Sequence, residues 1–241
     1  MIRVEILPDP GSVGRRAADL IAGVVRATSD GRRFAWAISG GEAPVPMFRR
    51  LGELDLPWHL VDTWQVDERA APPDDPDRNR TLQLGALPPE ATDGIRWMPV
   101  EDEDLEAAAA RYAATLPDRF DVVHLGLGAD GHTASLVPGD PVLDVVDRDV
   151  AITGPYEGRR RMTLTYPALS RAERVVWVVT GPEKRDALSR LLEGDPSIPA
   201  THLPVPDQVV VTDQALDGNA GPAQAGGATR TMRDVRRRPP Q

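Results

Sequence analysis

Asp121-Val-Val-His-Leu-Gly-Leu-Gly-Ala-Asp-Gly-His-Thr-Ala-Ser-Leu-Val-Pro-Gly139 decides how the rest of the chain is read. An apolar strand pattern runs directly into a glycine turn that carries Asp130 and His132. In open α/β sheets ligands bind at the carboxyl ends of strands, and a turn built on Gly126, Gly128 and Gly131 lets the backbone approach one closely. The pattern predicts an active site that pairs a carboxylate with an imidazole. The same letters spell G-x-G-x-x-G, a dinucleotide-binding turn, with Asp149 at about the distance of that motif's acidic partner. That motif needs a long crossover helix, however, and Pro138-Gly139 halts any helix within about two turns. Asp130 would also repel a pyrophosphate.

Outward from this segment, short apolar runs recur at about 2 to 7, 34 to 38, 61 to 66, 120 to 125, 161 to 165, 174 to 180 and 208 to 212. Most are separated by helical patterns: 12 to 28, begun by Ser12; 44 to 51; 103 to 114, with Asp102-Glu-Asp104 at its dipole-positive front; and 182 to 192, ended by Gly194. The alternation predicts an α/β fold with a mostly parallel, doubly wound, Rossmann-like sheet and helices on both faces. Residues 70 to 80 are crowded with proline and aspartate and are expected to form a loop over the strand ends.

At 241 residues and 41% hydrophobic content the chain can bury a sizeable core. Residues 1–216 are read as one α/β domain and 217–241 as a disordered basic tail, since the latter holds little but Gly, Ala, Pro, Gln and Arg. The tail carries five arginines and two aspartates, which leaves a net charge of −12 on the preceding part of a chain whose total is −9. Such a field opposes a nucleic-acid surface, so an anionic ligand must be drawn in by a local cationic pocket. There are no cysteines, which excludes disulfides, a thiol nucleophile and thiolate metal sites. Met1-Ile-Arg-Val-Glu-Ile lacks a secretory pattern and no apolar run reaches membrane length, so a cytoplasmic protein without a membrane partner is expected.

Several residues qualify for chemistry. His132 can serve as a general base, since an imidazole side chain can take up and return a proton under physiological conditions, with Asp130 holding its other ring nitrogen. Ser39-Gly40-Gly41 ends a strand just before Pro44, where free amides and a helix dipole favour an anion, although alone it is an ordinary strand-to-helix turn. Lys184 is the single lysine beside 27 arginines, which suggests a place where a forked guanidinium does not fit, unless it survives by chance. Asp67-Glu68-Arg69 puts another cation at a strand end, where the plain alternative is a solvated ion pair with its own neighbours. His124 reads as a core histidine, and His59 and His202 stand in no motif. No metal-binding spacing appears, and neither Ser39 nor Ser135 lies in a G-x-S-x-G elbow.

Four segments in order, Ile38-Ser-Gly-Gly-Glu-Ala-Pro44, Val66-Asp-Glu-Arg69 with Asn79 beyond it, the Asp130–His132 turn, and Arg161-Met-Thr-Leu-Thr165 followed by Val179-Thr-Gly-Pro-Glu-Lys184, make the chain similar to the family of 6-phosphogluconolactonases and glucosamine-6-phosphate deaminases. The resemblance covers residues 1 to about 215. It implies opening of a phosphosugar lactone in the oxidative pentose phosphate pathway, without metal or organic cofactor. It further implies a phosphate held by Ser39, Gly40, Gly41, Arg161 and Lys184, and substrate contact by Arg69, oriented by Asp67 or Glu68. Asn79 would close the loop by hydrogen bonding. Thr133-Ala-Ser-Leu-Val-Pro138 lacks the glutamate that the deaminases carry after their Gly-His pair, which disfavours aldose–ketose chemistry. Glu42 departs from the small polar residue usual there; it either turns to solvent or pairs with an arginine. A sensor without catalysis would need the cations but not the base. The oligomeric state stays open between a monomer and a small homo-oligomer.

Overall fold

The computed structural model describes residues 2–28 and 31–216, and the backbone of 230–231. Along the chain run β1 (Ile2–Ile6), α1 (Pro10–Ala27), β2 (Phe34–Ile38), α2 (Val45–Gly52), β3 (Val61–Gln65), β4 (Asp67–Arg69), α3 (Asn79–Ala86), α4 (Pro89–Thr92), β5 (Ile95–Arg96), α5 (Leu105–Ala113), β6 (Phe120–Leu125), β7 (Val150–Ile152), β8 (Arg161–Leu164), α6 (Tyr166–Leu169), β9 (Ala172–Val179), α7 (Arg185–Glu193), β10 (Asp207–Thr212) and β11 (Arg230–Thr231). The main sheet has the order β11-β1-β10-β9-β6-β2-β3-β5. Every pair in it is parallel except β11 with β1.

Both faces of this sheet are covered, which is why its central strands read as continuous apolar runs. Alternate residues go to opposite sides: Ala37, Val123, Leu125, Val175, Trp177 and Val210 join one core with α5, α6 and α7. Trp36, Ile38, Val122, Val176, Val178, Val209 and Val211 join the other with α1 and α2. At about 1.5–3 kcal/mol per fully buried large apolar side chain, these two layers dominate the stability of the fold.

Sequence order reverses inside the sheet. From β2 the chain steps through β3 to β5, whereas from β6 it steps the other way through β9 to β10, so the switch point lies between β2 and β6. The segments that leave their carboxyl ends are Ser39–Gly41 and Gly126–His132, placed side by side where such sheets bind ligands.

The structure corrects three readings. α1 begins at Pro10, not Ser12: the Asp9 carboxylate accepts from the Ser12 amide at 2.8 Å, and proline suits the first turn because it has no amide proton to satisfy. The run at 161 to 165 is not part of the parallel sheet. As β8 it lies between β4 and β7 in a small antiparallel sheet, and all four of its residues are buried. The loop expected over 70 to 80 ends at residue 78, because the Glu68 carboxylate accepts from the Asn79 and Arg80 amides at 2.9 and 2.8 Å and anchors the start of α3. Of the stretch 217–241 only β11 is described, with Arg230 and Thr231 paired to Val4 and Arg3; the rest of the expected tail lies outside the described residues. Among the described residues no helix is long and apolar enough to cross a membrane.

Candidate active site

β6 delivers its turn to the switch point with the two titratable side chains in contact. His132 Nδ1 lies 2.6 Å from Asp130 Oδ1, and the same oxygen accepts from the His132 amide at 3.1 Å. Tyr156 donates its hydroxyl to Asp130 Oδ2 at 3.3 Å. Burial pushes the Asp130 carboxyl up, but the His132 amide, the imidazole and the Tyr156 hydroxyl outweigh it, so the group sits below the usual carboxylate range and is ionised at neutral pH. An ionised Asp130 selects the proton on Nδ1 and leaves the Nε2 lone pair of neutral His132 unshared. Gly128 makes the arrangement possible: a Cβ there would lie 2.1 Å from His132 Nδ1 and 2.5 Å from Asp130 Oδ1.

The next strands on either side bring polar groups that the protein itself leaves unsatisfied. After β2, Ser39 is 5% exposed and its Oγ has no hydrogen-bond partner among the described residues. Across the sheet, the turn after β9 carries half-buried Lys184, whose ammonium makes no hydrogen bond or ion pair among the described residues. Arg69 on β4 faces Arg161 on β8 in register. Like charges opposed in this way repel, so the pair favours an anion nearby. Arg161 is buried, its Nε has no hydrogen-bond partner among the described residues, and its Nη2 bonds Glu157 at 2.8 Å. Glu42 is exposed and pairs with no arginine among the described residues, so its carboxylate is not committed to the Gly40-Gly41 turn.

Among the described residues, neither acid of the Asp67-Glu68-Arg69 segment pairs with the Arg69 guanidinium. Successive strand residues face opposite sides, which sends Glu68 away from its neighbours. Its carboxylate is fully engaged by the Arg69, Asn79 and Arg80 amides, by Gln65 Nε2 at 3.0 Å, and by the Arg78 guanidinium at 3.4 Å. Asp67 accepts from Ser135 Oγ at 2.6 Å, which ties β4 to the segment after His132. The Arg69 guanidinium instead donates to the Asp77 carbonyl and holds the loop that follows. Asn79 is wedged between two site segments: it donates to the Asp67 carbonyl at 2.9 Å, and its Oδ1 lies 2.0 Å from where a Cβ on Gly40 would be.

His124 is a core residue. It is fully buried, burial lowers its pKa to about 3, its Nδ1 accepts from the Ser39 amide at 3.3 Å, and its ring meets Phe48 edge-on. The dinucleotide reading fails on topology: after Gly131 come a Thr133–Leu136 bridge and a short 3-10 turn at Pro141–Asp144, with no crossover helix, and Asp149 pairs with Arg171 at 3.0 Å. Among the described residues no three His, Asp or Glu side chains are grouped to hold a metal. The sequence reading missed Tyr156, which touches Asp130, stands edge-on to His132, and lies under Arg161. Its one sequence signal is the Glu157-Gly158 pair, a two-residue hairpin turn just before β8.

Fold and switch point place the chain in the class of Rossmann-like α/β proteins with a ligand site at the strand ends. More narrowly, the chain belongs to the Glucosamine-6-phosphate isomerases/6-phosphogluconolactonase family, whose model matches residues 8–212. It is 37% identical over 203 residues to a 6-phosphogluconolactonase of Nostoc sp. (strain PCC 7120), covering 78% of this chain and 84% of the relative. It is also 37% identical over 205 residues to a 6-phosphogluconolactonase of Synechocystis sp. (strain PCC 6803), with 77% and 84% covered. The crystal structure of 6-phosphogluconolactonase from Thermotoga maritima superposes with a TM-score of 0.78 at 25% identity, covering 88% of this chain and 99% of that one.

Proposed function

We propose that the protein hydrolyses 6-phospho-D-glucono-1,5-lactone to 6-phospho-D-gluconate, with His132 as general base. The observation that carries the mechanism is the 2.6 Å Asp130–His132 contact beside unpartnered anion-seeking groups. His132 Nε2 removes a proton from water as the water oxygen attacks the lactone carbonyl. The tetrahedral intermediate collapses with cleavage of the bond to the ring oxygen, which takes the proton back from the imidazolium. Asp130 holds the ring and offsets its transient charge, a form of assistance worth about 10²- to 10⁴-fold. Lys184, Arg161, Ser39 Oγ and the amides of Gly40 and Gly41 bind the phosphate, and Arg69 borders the sugar. None of these steps calls for a metal or an organic cofactor.

Membership of the family leaves deaminase chemistry as the competitor. Thr133-Ala-Ser-Leu-Val-Pro138 offers no acid, and Ser135 spends its hydroxyl on Asp67. The carboxylate that an aldose–ketose proton shuttle requires is therefore missing from this segment, which supports lactone opening. The test is the disappearance of freshly generated lactone above its spontaneous rate. Acceleration by the wild type that falls about 10²- to 10⁴-fold in His132→Ala is expected. A folded wild type that gives no acceleration overturns the reading.

A further inference from the structure

Tyr156 belongs to a hairpin built at some conformational cost. Between β7 and β8 the chain reverses through Glu157 and Gly158, both left-handed with φ of 50° and 79°, and Tyr156 and Arg159 close the turn through amide–carbonyl bonds of 2.9 and 3.2 Å. A non-glycine residue in that region is held there by its surroundings. Two ion pairs do the holding. Glu157 reaches Arg161 Nη2 at 2.8 Å, and Arg159 reaches Asp75 at 2.7 Å, which clips the hairpin to the loop after Arg69.

The hairpin presents one ring to three groups of the site. The Arg161 guanidinium carbon lies 4.8 Å above the centre of the Tyr156 ring, the His132 ring meets it edge-on at 5.5 Å, and the hydroxyl donates to Asp130 Oδ2 at 3.3 Å. The last contact matters most. Asp130 spends Oδ1 on His132, and Tyr156 is the only donor on Oδ2 among the described residues. With 37% of its side chain exposed, the carboxylate is open to competing water, and one anchored oxygen leaves it free to swing. The second anchor stops that rotation. Burial and the neighbouring Asp130 charge raise the phenol's pKa, so the hydroxyl stays protonated and remains a donor.

We propose that Tyr156 is a positioning residue that fixes the Asp130–His132 pair relative to Arg161, so that the cation anchoring the substrate and the base acting on it share one rigid reference. This rests on the lactonase reading for its substrate, but its geometry can be tested without turnover. The two parts of the side chain separate the two jobs: the hydroxyl holds the dyad, and the ring carries Arg161.

Tyr156→Phe and Tyr156→Leu are compared with wild type on the phosphorylated lactone and on plain gluconolactone. The Phe variant is expected to lose about three- to tenfold in kcat, the worth of one hydrogen bond, with KM within about twofold. The Leu variant is expected to show that loss together with a KM raised several-fold for the phosphorylated lactone alone, because only that substrate uses Arg161. A Phe variant with wild-type kcat overturns the proposal, as does a Leu variant that weakens both substrates equally. If the wild type itself fails to accelerate the reaction, the lactonase reading falls, and the ring nitrogen-15 shifts of neutral His132 decide the positional claim. An Nδ1-protonated tautomer in wild type that moves toward the Nε2-protonated form in Tyr156→Phe supports it; the same tautomer in both proteins overturns it.

Discussion

Two polar regions meet at the carboxyl edge of the sheet, and they differ in who satisfies their charges. Around β4 and α3, the Glu68 carboxylate is saturated by three amides, a glutamine and an arginine, and the charge of fully buried Arg78 is met by both Glu68 and Glu101, although its Nε and Nη2 make no hydrogen bond among the described residues. Around β2, β6, β8 and β9, Ser39 Oγ, Arg161 Nε and the Lys184 ammonium have no partner among the described residues, and the Asp130–His132 pair is partly exposed. The difference is therefore one of charge: Arg78 is balanced by carboxylates of the protein, whereas Lys184 is balanced by none among the described residues, and an unbalanced cation favours an anionic ligand. On the proposed function, the first region is a scaffold whose loss costs stability, and the second a site whose loss costs activity.

The sharpest break of this contrast comes from exchanging the losses. His132→Ala is expected to lower lactone hydrolysis by about 10²- to 10⁴-fold while the thermal midpoint stays at the wild-type value. Glu68→Ala should do the reverse: it removes the buried acceptor of the Asn79 and Arg80 amides and leaves Arg78 paired with Glu101 alone, at a cost of about 1–3 kcal/mol for each donor left without its acceptor, read as a shifted urea midpoint. If Glu68→Ala unfolds no more easily than wild type, the scaffold half of the contrast is wrong. Lys184→Ala removes a charge-assisted contact worth about 1.5–3 kcal/mol, so steady-state kinetics should show KM raised about 10- to 100-fold with stability unchanged.

The smallest effect joins the two regions through the strand beneath the site. His124 is neutral in the fold because burial lowers its pKa to about 3, against 6.5 when unfolded. A depressed folded value means that stability is complete above pH 6.5 and falls as acid protonates the unfolded chain, by about 1.4 kcal/mol per unit. Between pH 6.5 and 5 the protein should therefore lose about 2 kcal/mol. His124→Asn should flatten that slope in denaturation curves taken across the same interval, and a slope that persists would place its origin elsewhere.

The parallel sheet was legible because its strands are buried on both faces and write themselves as apolar runs, and the Asp130–His132 turn because the two residues are near neighbours in sequence. Strands β4, β5 and β7 were not legible, since two or three residues hold no period and their pairing is set by distant partners. Asp67-Glu68-Arg69 misled for a related reason. Adjacency suggested an ion pair, but strand alternation and Ser135, 68 positions further on, decided where the carboxylates went. Tyr156 was hidden because its three contacts come from two other segments of the chain, Asp130–His132 and β8.

Lys184 has a consequence for how the molecule can be observed. With 27 of the 28 lysines and arginines being arginines, the chain offers amine-directed acylating reagents a single side-chain target, and that target is the ammonium after β9 that is unpaired among the described residues. One acyl increment in an intact-mass spectrum, the backbone amino terminus aside, counts open sites directly, and phosphosugar binding should suppress it. The proposed substrate is itself an acyl donor, and on this protein it meets no other lysine.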